Sequence, residues 1–197
     1  RRALKLEPKL ANAHHNLGHA LAAIGKYEEA FACEYKAIEL EPAHAPAHER
    51  LAALLLLTGD FERGWSEYEW RWKAYNVVPR AFSQPRWEGQ PLRDRTILLR
   101  AEQGLGDTLQ FVRFAPLLKA HGARVIVECA KPEFNLLSNC QGIDKLVPEG
   151  SELPGFDYQI PLLSIPGALG ISLATIPANV PYLFAKPDLI ATWQSKL

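Results

Sequence analysis

The stretch Thr96–Gly122, TILLRAEQGLGDTLQFVRFAPLLKAHG, decides the fold. Thr96 to Leu99 is a short β-branched and aliphatic run, which leads through Arg100, Ala101 and Glu102 into a glycine turn, Gly104-Leu105-Gly106. A segment of helical period follows, with Phe111, Phe114, Ala115 and Leu118 at i, i+3, i+4 and i+7, one apolar stripe able to face a sheet. Asp107 and Thr108 stand at the mouth of that helix as N-terminal residues. The spacing therefore predicts strand, tight turn, helix. In open α/β sheets chemistry gathers at this junction, because strand carboxyl ends and helix amino ends converge there and present backbone N–H groups.

Downstream, the pattern repeats. After a helix stop at His121-Gly122, the run Arg124–Cys129 (RVIVEC) reads as a second strand, and Lys131-Pro132-Glu133 starts a helix running to about Cys140, since proline suits a first helical turn. Lys145-Leu146-Val147 is a third short strand and Tyr158-Gln159-Ile160 a fourth. Strands alternating with helices give a parallel sheet. Residues 161–170 read as a loop or short helix at the strand ends, and 178–187 as an extended connector. The segment from Pro187 to Leu197 reads as the first turns of a helix.

Upstream, the chain is self-similar. Pro8 recurs as Pro42, Leu17 as Leu51, Gly25 as Gly59, and Ala3-Leu4 as Ala37-Ile38, each 34 residues on. With Leu17-Gly18 in a first helix, Gly25-Lys26-Tyr27 at a turn, Ala30 at a small position and Pro42 at the end, residues 11–44 resemble the tetratricopeptide repeat. The next copy, 45–75, is looser: Ala52 replaces the glycine and Gly64 stands at the small position. The resemblance implies antiparallel helix pairs, each burying its apolar face against the next, with a concave face open to a partner. A partial repeat precedes them, and because its helix lacks a visible start the expectation is a chain cut from a longer one.

Two other features of this half carry alternatives. His15 and His19, like His44 and His48, are four apart on a helix face, a spacing that can chelate zinc. No cysteine or carboxylate completes either pair in the sequence, and His14 and His48 fall where the repeat carries a packing aromatic, so packing is preferred and no metal is expected. Aromatics crowd between Phe61 and Trp87; Trp65, Tyr68 and Trp72 recur at helical spacing, which favours a packed junction over stacking on sugars or bases. Pro79, Pro85, Gly89 and Pro91 then mark 76–95 as a connection.

Composition narrows the partners. Among 197 residues, 22 basic and 22 acidic side chains cancel, so no global field favours nucleic acid. No apolar run is long enough to span a bilayer and the N-terminus lacks a secretory core. Three cysteines without zinc or redox spacing suit a reducing compartment, so a cytoplasmic protein is expected. The organisation expected is thus α plus α/β: repeats over 1–75, a linker over 76–95, a Rossmann-like parallel sheet over 96–186, and the start of a further helix over 187–197.

The glycine turn admits two readings. Gly104-Leu105-Gly106 with Glu128 on the next strand is close to a dinucleotide fingerprint, but Leu109 occupies the place of its third glycine. RAEQGLGD, set between a strand and TLQFVRFAPLLKAHG, resembles instead the first βα unit of the bacterial heptosyltransferase family and of related glycosyltransferase modules fused behind tetratricopeptide repeats. That resemblance covers roughly Trp87 to the end. It implies the N-terminal half of a GT-B fold, whose first half supports the acceptor while the second, outside this sequence, holds a nucleotide sugar; no cofactor is expected in this half. It also implies that Asp107 is the general base of an inverting transfer, taking the acceptor hydroxyl proton as the diphosphate leaves. A helix-capping role is open to the same aspartate. Arg100, Glu102 and Gln103 share the strand end and can bind acceptor hydroxyls or phosphate, with the backbone of Gly104 and Gly106 beside them; an Arg100–Glu102 surface pair is the alternative. Two function classes follow: a glycosyltransferase whose repeats recruit a protein or glycan acceptor, or a non-catalytic scaffold with an α/β packing module.

Overall fold

The computed structural model describes residues 2–196. Two compact units are present: one runs to Ala81 and takes in Gly170–Thr175, and the other runs from Phe82 to Leu169 and resumes at Ile176.

The first unit is built from helices α1 (Arg2–Leu6), α2 (Ala11–Ala23), α3 (Tyr27–Leu40), α4 (Ala45–Leu57), α5 (Phe61–Tyr68) and α6 (Arg71–Ala74), with no strand among its described residues. The 34-residue period is visible in how helices stop. Gly25 and Gly59 take φ of 75° and 91°, the left-handed conformation that glycine adopts without Cβ strain. After each, the chain folds back to satisfy free carbonyls: Lys26 N–H donates to Leu21 O at 3.0 Å and Asp60 N–H to Leu55 O at 2.8 Å. Starts are capped too. His44 Nδ1 accepts from Ala47 N–H, and Asp60 accepts from Arg63 N–H. Small residues then let helices close up: Ala30, Ala37, Ala47 and Ala52 are fully buried, and a Cβ added at Gly64 would lie 2.7 Å from Leu56 Cδ2.

A carboxylate sits inside this packing. Glu34 on α3 is 0% exposed, and a Cβ on Gly18 would fall 2.5 Å from its Oε1, so the glycine of the Leu-Gly pair makes room for a carboxylate. Glu34 Oε2 bonds His15 Nδ1 at 3.0 Å, while Oε1 has no partner. Of the four-apart histidines, His15, His44 and His48 serve such internal bonds. His44 Nε2 donates to Asn12 Oδ1, and His48 bonds both Glu67 and the Pro42 carbonyl. His14 bonds the Pro8 carbonyl in the same way, 34 residues earlier. Among the described residues no group of three or more metal-ligating side chains gathers.

The aromatics of 61–75 pack within this unit. Trp70 stacks on His48 with ring centroids 4.0 Å apart, Trp65 meets Tyr68 edge-on, and the buried Arg71 lies over the rings of Tyr68 and Trp72. Arg71 also bonds the Tyr68 carbonyl and Glu69, so the cation is desolvated against rings and oxygens together. Phe82 and Trp87 belong to the second unit.

That unit holds four strands, β1 (Thr96–Arg100), β2 (Arg124–Cys129), β3 (Lys145–Pro148) and β4 (Tyr158–Pro161), all parallel in the order β3-β2-β1-β4. Leu98, Ile126 and Val147 form one face, covered by Phe82, Leu153 and Phe156. Ile97, Leu99, Val125, Val127 and Ile160, pointing to the other face by strand alternation, are fully buried. At the amino ends, the aspartate preceding each outer strand takes an N–H near the start of its neighbour: Asp157 that of Thr96, first in β1, and Asp144 that of Val125, second in β2, both at 2.7 Å.

The helix expected as one piece after β1 is instead α7 (Leu105–Phe111), a 3-10 turn Val112–Phe114, and α8 (Ala115–Ala120). Pro116, in the first turn of α8, has no N–H to give the preceding turn, and the hydrogen-bond ladder breaks there. Of the expected stripe Phe114, Ala115 and Leu118 are buried and Phe111 is half-buried, while Val112 is buried beside them. The helix expected to reach Cys140 is likewise a 3-10 turn Lys131–Glu133 and α9 (Phe134–Leu137), and Cys140 lies beyond it. Short α10 (Ile165–Ala168) follows β4, and α11 (Pro187–Gln194) is exposed along its length. The connector is tied down by Tyr182, whose hydroxyl donates to Leu109 O and accepts from Arg113. No helix among the described residues is long and apolar enough to cross a membrane.

Two predictions follow from this packing. A Cβ on Gly142, at φ 81°, would lie 2.5 Å from Pro116 N, so Gly142→Ala is expected to cost about 3 kcal/mol, read from the urea midpoint; an unchanged midpoint would refute the close contact. Burial raises the Glu34 carboxyl above its ordinary range, against the pull of the His15 bond and the charges of Arg50 and His44. The native state thus holds this proton more tightly than the unfolded chain, and the stability it contributes is lost as pH rises through the elevated value. Glu34→Gln keeps the shape without the charge, so thermal melts should show the variant gaining on wild type as pH rises; a constant difference would contradict the assignment.

Candidate functional site

The site is assembled where β1 leaves the sheet. From β1 the chain steps to β2 and β3 on one side, then returns to β4 on the other, so adjacent connections diverge at the carboxyl ends of β1 and β4. A crevice at such a switch point is where open α/β sheets hold ligands.

Arg100 ends β1, level with Glu128 on β2 and Pro161 on β4. Its Nε donates to Gln159 Oε1 at 3.2 Å and its guanidinium lies 5.3 Å from the Phe82 ring centroid, so its orientation is fixed by β4 and an aromatic. The register puts Arg100 and Glu128 side by side on one sheet face, and Glu128 is buried to 6% exposure. Glu102 turns across the crevice: its Oε1 accepts the Leu163 N–H at 3.2 Å, joining the exit of β1 to the exit of β4.

The turn differs from the expected glycine turn. Its left-handed residue is Gln103, at φ 60°, while Leu105 and Gly106 already belong to α7 and Gly104 is its N-cap in extended conformation. Gly104 has a steric role, since a Cβ there would lie 3.2 Å from Asp107 Oδ2. Gly106 meets nothing within 4 Å and opens space at the helix mouth.

Asp107 is accordingly the third residue of the helix and not the cap that its place after glycine implies. Its Oδ2 accepts the Gly104 N–H at 3.0 Å, the reach-back half of a capping box; glycine has no side chain to supply the other half. Thr108, next to it, is buried.

The structure therefore brings Arg100, Glu102, Gln103, Gly104, Gly106 and Asp107 to one strand end. Two residues that the sequence reading left out lie at the same ends of the neighbouring strands. Gln159 orients Arg100, and Glu133, 4% exposed, bonds the Ala130 N–H through Oε2 and leaves Oε1 without a partner beyond the end of β2. Strand pairing, which alone places β4 beside β1, was the missing signal for Gln159. Cys129 is no nucleophile here: it is fully buried, and burial, reinforced by Glu133 and Glu128, pushes its thiol up to about 11. His121 and Arg124 lie at the opposite end of the sheet, where a cavity of about 360 Å³ is lined by Trp87, Leu92, Arg93 and His121.

Parts of this chain are similar to known proteins. A tetratricopeptide-repeat profile matches residues 1–32. Protein FlbA of Caulobacter vibrioides is 36% identical over 120 residues, covering 58% of this chain, which spans a fifth of that relative's length. Among solved structures, YrrB, a tetratricopeptide-repeat protein described as having an unusual peptide-binding site, aligns at 19% identity and TM-score 0.36 over 40% of each chain. A mutant O-GlcNAc transferase from Thermobaculum terrenum aligns at 18% identity and TM-score 0.35, covering 74% of this chain and 36% of its own.

Proposed function

We propose that this chain is part of an inverting, nucleotide-sugar-dependent glycosyltransferase: its α/β unit is the acceptor-side half of a GT-B enzyme of heptosyltransferase-like type, and its repeats bind a protein. The observation that carries the reading is the convergence of Arg100, Glu102 and Asp107 at the carboxyl ends of β1 and β4, the switch point of the sheet.

The chemistry assigned to each group follows from its bonds. Asp107 is held by one oxygen, since Oδ2 is engaged by the Gly104 N–H. Oδ1 is left to take the proton of an acceptor hydroxyl while that oxygen bonds the anomeric carbon and the diphosphate departs from the opposite side. Arg100, braced by Gln159 and Phe82, supplies positive charge for acceptor oxygens or phosphate. Glu102 shapes the crevice, its carboxylate being committed to the Leu163 N–H.

One observation favours the second reading, a scaffold whose α/β unit only packs. Both acidic side chains at the turn already bond backbone N–H groups, which is what purely structural carboxylates do.

Asp107→Asn separates the two in a protein carrying both halves. Asparagine keeps the acceptor for Gly104 N–H but cannot take a proton, so stability should hold while transfer falls by about 10²- to 10⁴-fold with donor affinity near wild type. Wild-type turnover in that variant would reduce Asp107 to a helix-start residue. The division of labour also predicts that this 197-residue chain alone neither transfers sugar nor binds nucleotide sugars appreciably. Micromolar binding of a nucleotide sugar by calorimetry would reject it.

A further inference from the structure

The repeat unit contains a groove whose chemistry points to a class of partner. Helices α2 and α4, the first helices of successive repeats, lie against one another, joined by the His44–Asn12 bond and by the rings of His15 and His44, 5.4 Å apart. Between their carboxyl-terminal halves is a cavity of about 230 Å³. Its wall is apolar, from Ala22, Ala23, Ala53, Leu54 and Leu57, and Tyr27 closes one end. Two side chains on it carry or can carry positive charge, His19 and Arg50.

Arg50 is the unusual member. Its Nε is buried and makes no hydrogen bond, and no salt bridge to it occurs among the described residues. The nearby acids are committed elsewhere. Glu34 is bonded to His15 and enclosed beneath Gly18, and Glu49 accepts from the Tyr75 hydroxyl. Glu34 feels the charge of Arg50 without bonding it. A guanidinium N–H removed from water and left without an acceptor is destabilising in the free protein, and a carboxylate brought by a ligand would relieve it with a charge-assisted bond. The alanines leave room beside that bond for a branched aliphatic side chain.

We propose that this groove docks a peptide segment in which an aliphatic residue stands next to an acidic one, the aliphatic side chain seated on the Ala53–Leu57 wall and the carboxylate paired with Arg50. The proposal rests on the reading of the repeats as protein-binding and adds the chemistry of what they take. Charge complementarity selects the occupant: a basic segment would set its charge against Arg50, and a neutral one would leave the buried Nε–H less well satisfied.

The test uses the 197-residue chain and two hexapeptides carrying fluorescein on the N-terminal amine, fluoresceinyl-Ala-Leu-Asp-Leu-Asp-Ala-amide and its Asn counterpart, followed by anisotropy. The Asp peptide should bind about tenfold more tightly, the difference between a charge-assisted and a neutral hydrogen bond, and the advantage should shrink as salt is raised. Arg50→Gln should bring the two peptides to within about twofold by removing the charge alone. Ala53→Phe, which fills the cavity, should abolish binding of both while circular dichroism stays that of wild type. Equal affinity of wild type for the two peptides, or a preference that survives Arg50→Gln, overturns the acidic specificity and leaves the repeats as a peptide-binding array. Binding of neither peptide at millimolar concentration overturns the groove itself, and cross-linking of a protein to other helices would then keep the broader reading.

Discussion

A central strand hydrogen-bonded along both edges is the constraint on which the α/β unit depends. β1 pairs with β2 on one side and β4 on the other, so its backbone polar groups are satisfied within the sheet and its side chains must be apolar on both faces. Ile97, Leu98 and Leu99 are all fully buried. Polar side chains gather where the pairing ends: Arg100 is the last paired residue, and Glu102 and Gln103 follow just beyond it. At the other end, Asp157 and Asp144 take N–H groups of Thr96 and Val125 near the strand starts. A polar edge is thus a by-product of a dry centre.

The repeat unit answers the same demand by another route. Its helices approach closely because small residues stand at the contacts, and one of those contacts admits a carboxylate in place of an apolar group. Glu34 is tolerated since His15 holds one oxygen, yet the other stays unsatisfied, so the interior of this repeat carries a charge-dependent cost that its neighbour avoids. At the equivalent positions in the next copy stand Ala52 and Tyr68. Its second helix ends early, at Tyr68, and the chain turns so that Trp70 can stack on His48.

At the candidate site the helix N-terminus is already occupied from within. The Asp107 carboxylate reaches back to Gly104, so the orphan donors of α7 are partly met before any ligand arrives. A side chain held this way has little rotamer freedom left.

The sequence by itself determined the units of structure and their kind. The 34-residue spacing of Pro8 with Pro42 and Gly25 with Gly59 foretold the helix pairs, because each fixed backbone conformation must recur at every turn of a stacked array. Apolar runs bounded by turn residues foretold four strands, because buried parallel strands admit few polar side chains. What tertiary structure alone decided was every property set by a neighbour distant in sequence. That β4 lies beside β1, which brings Gln159 to Arg100 and the Leu163 N–H to Glu102, is a matter of pairing across some sixty residues. The break at Pro116, with Gly142 pressed against it, needed a contact from another segment to show why that glycine has no Cβ. Left-handed Gln103 and the inward step of Asp107 to the third helical position depended on where the sheet released the chain, which local propensity does not encode.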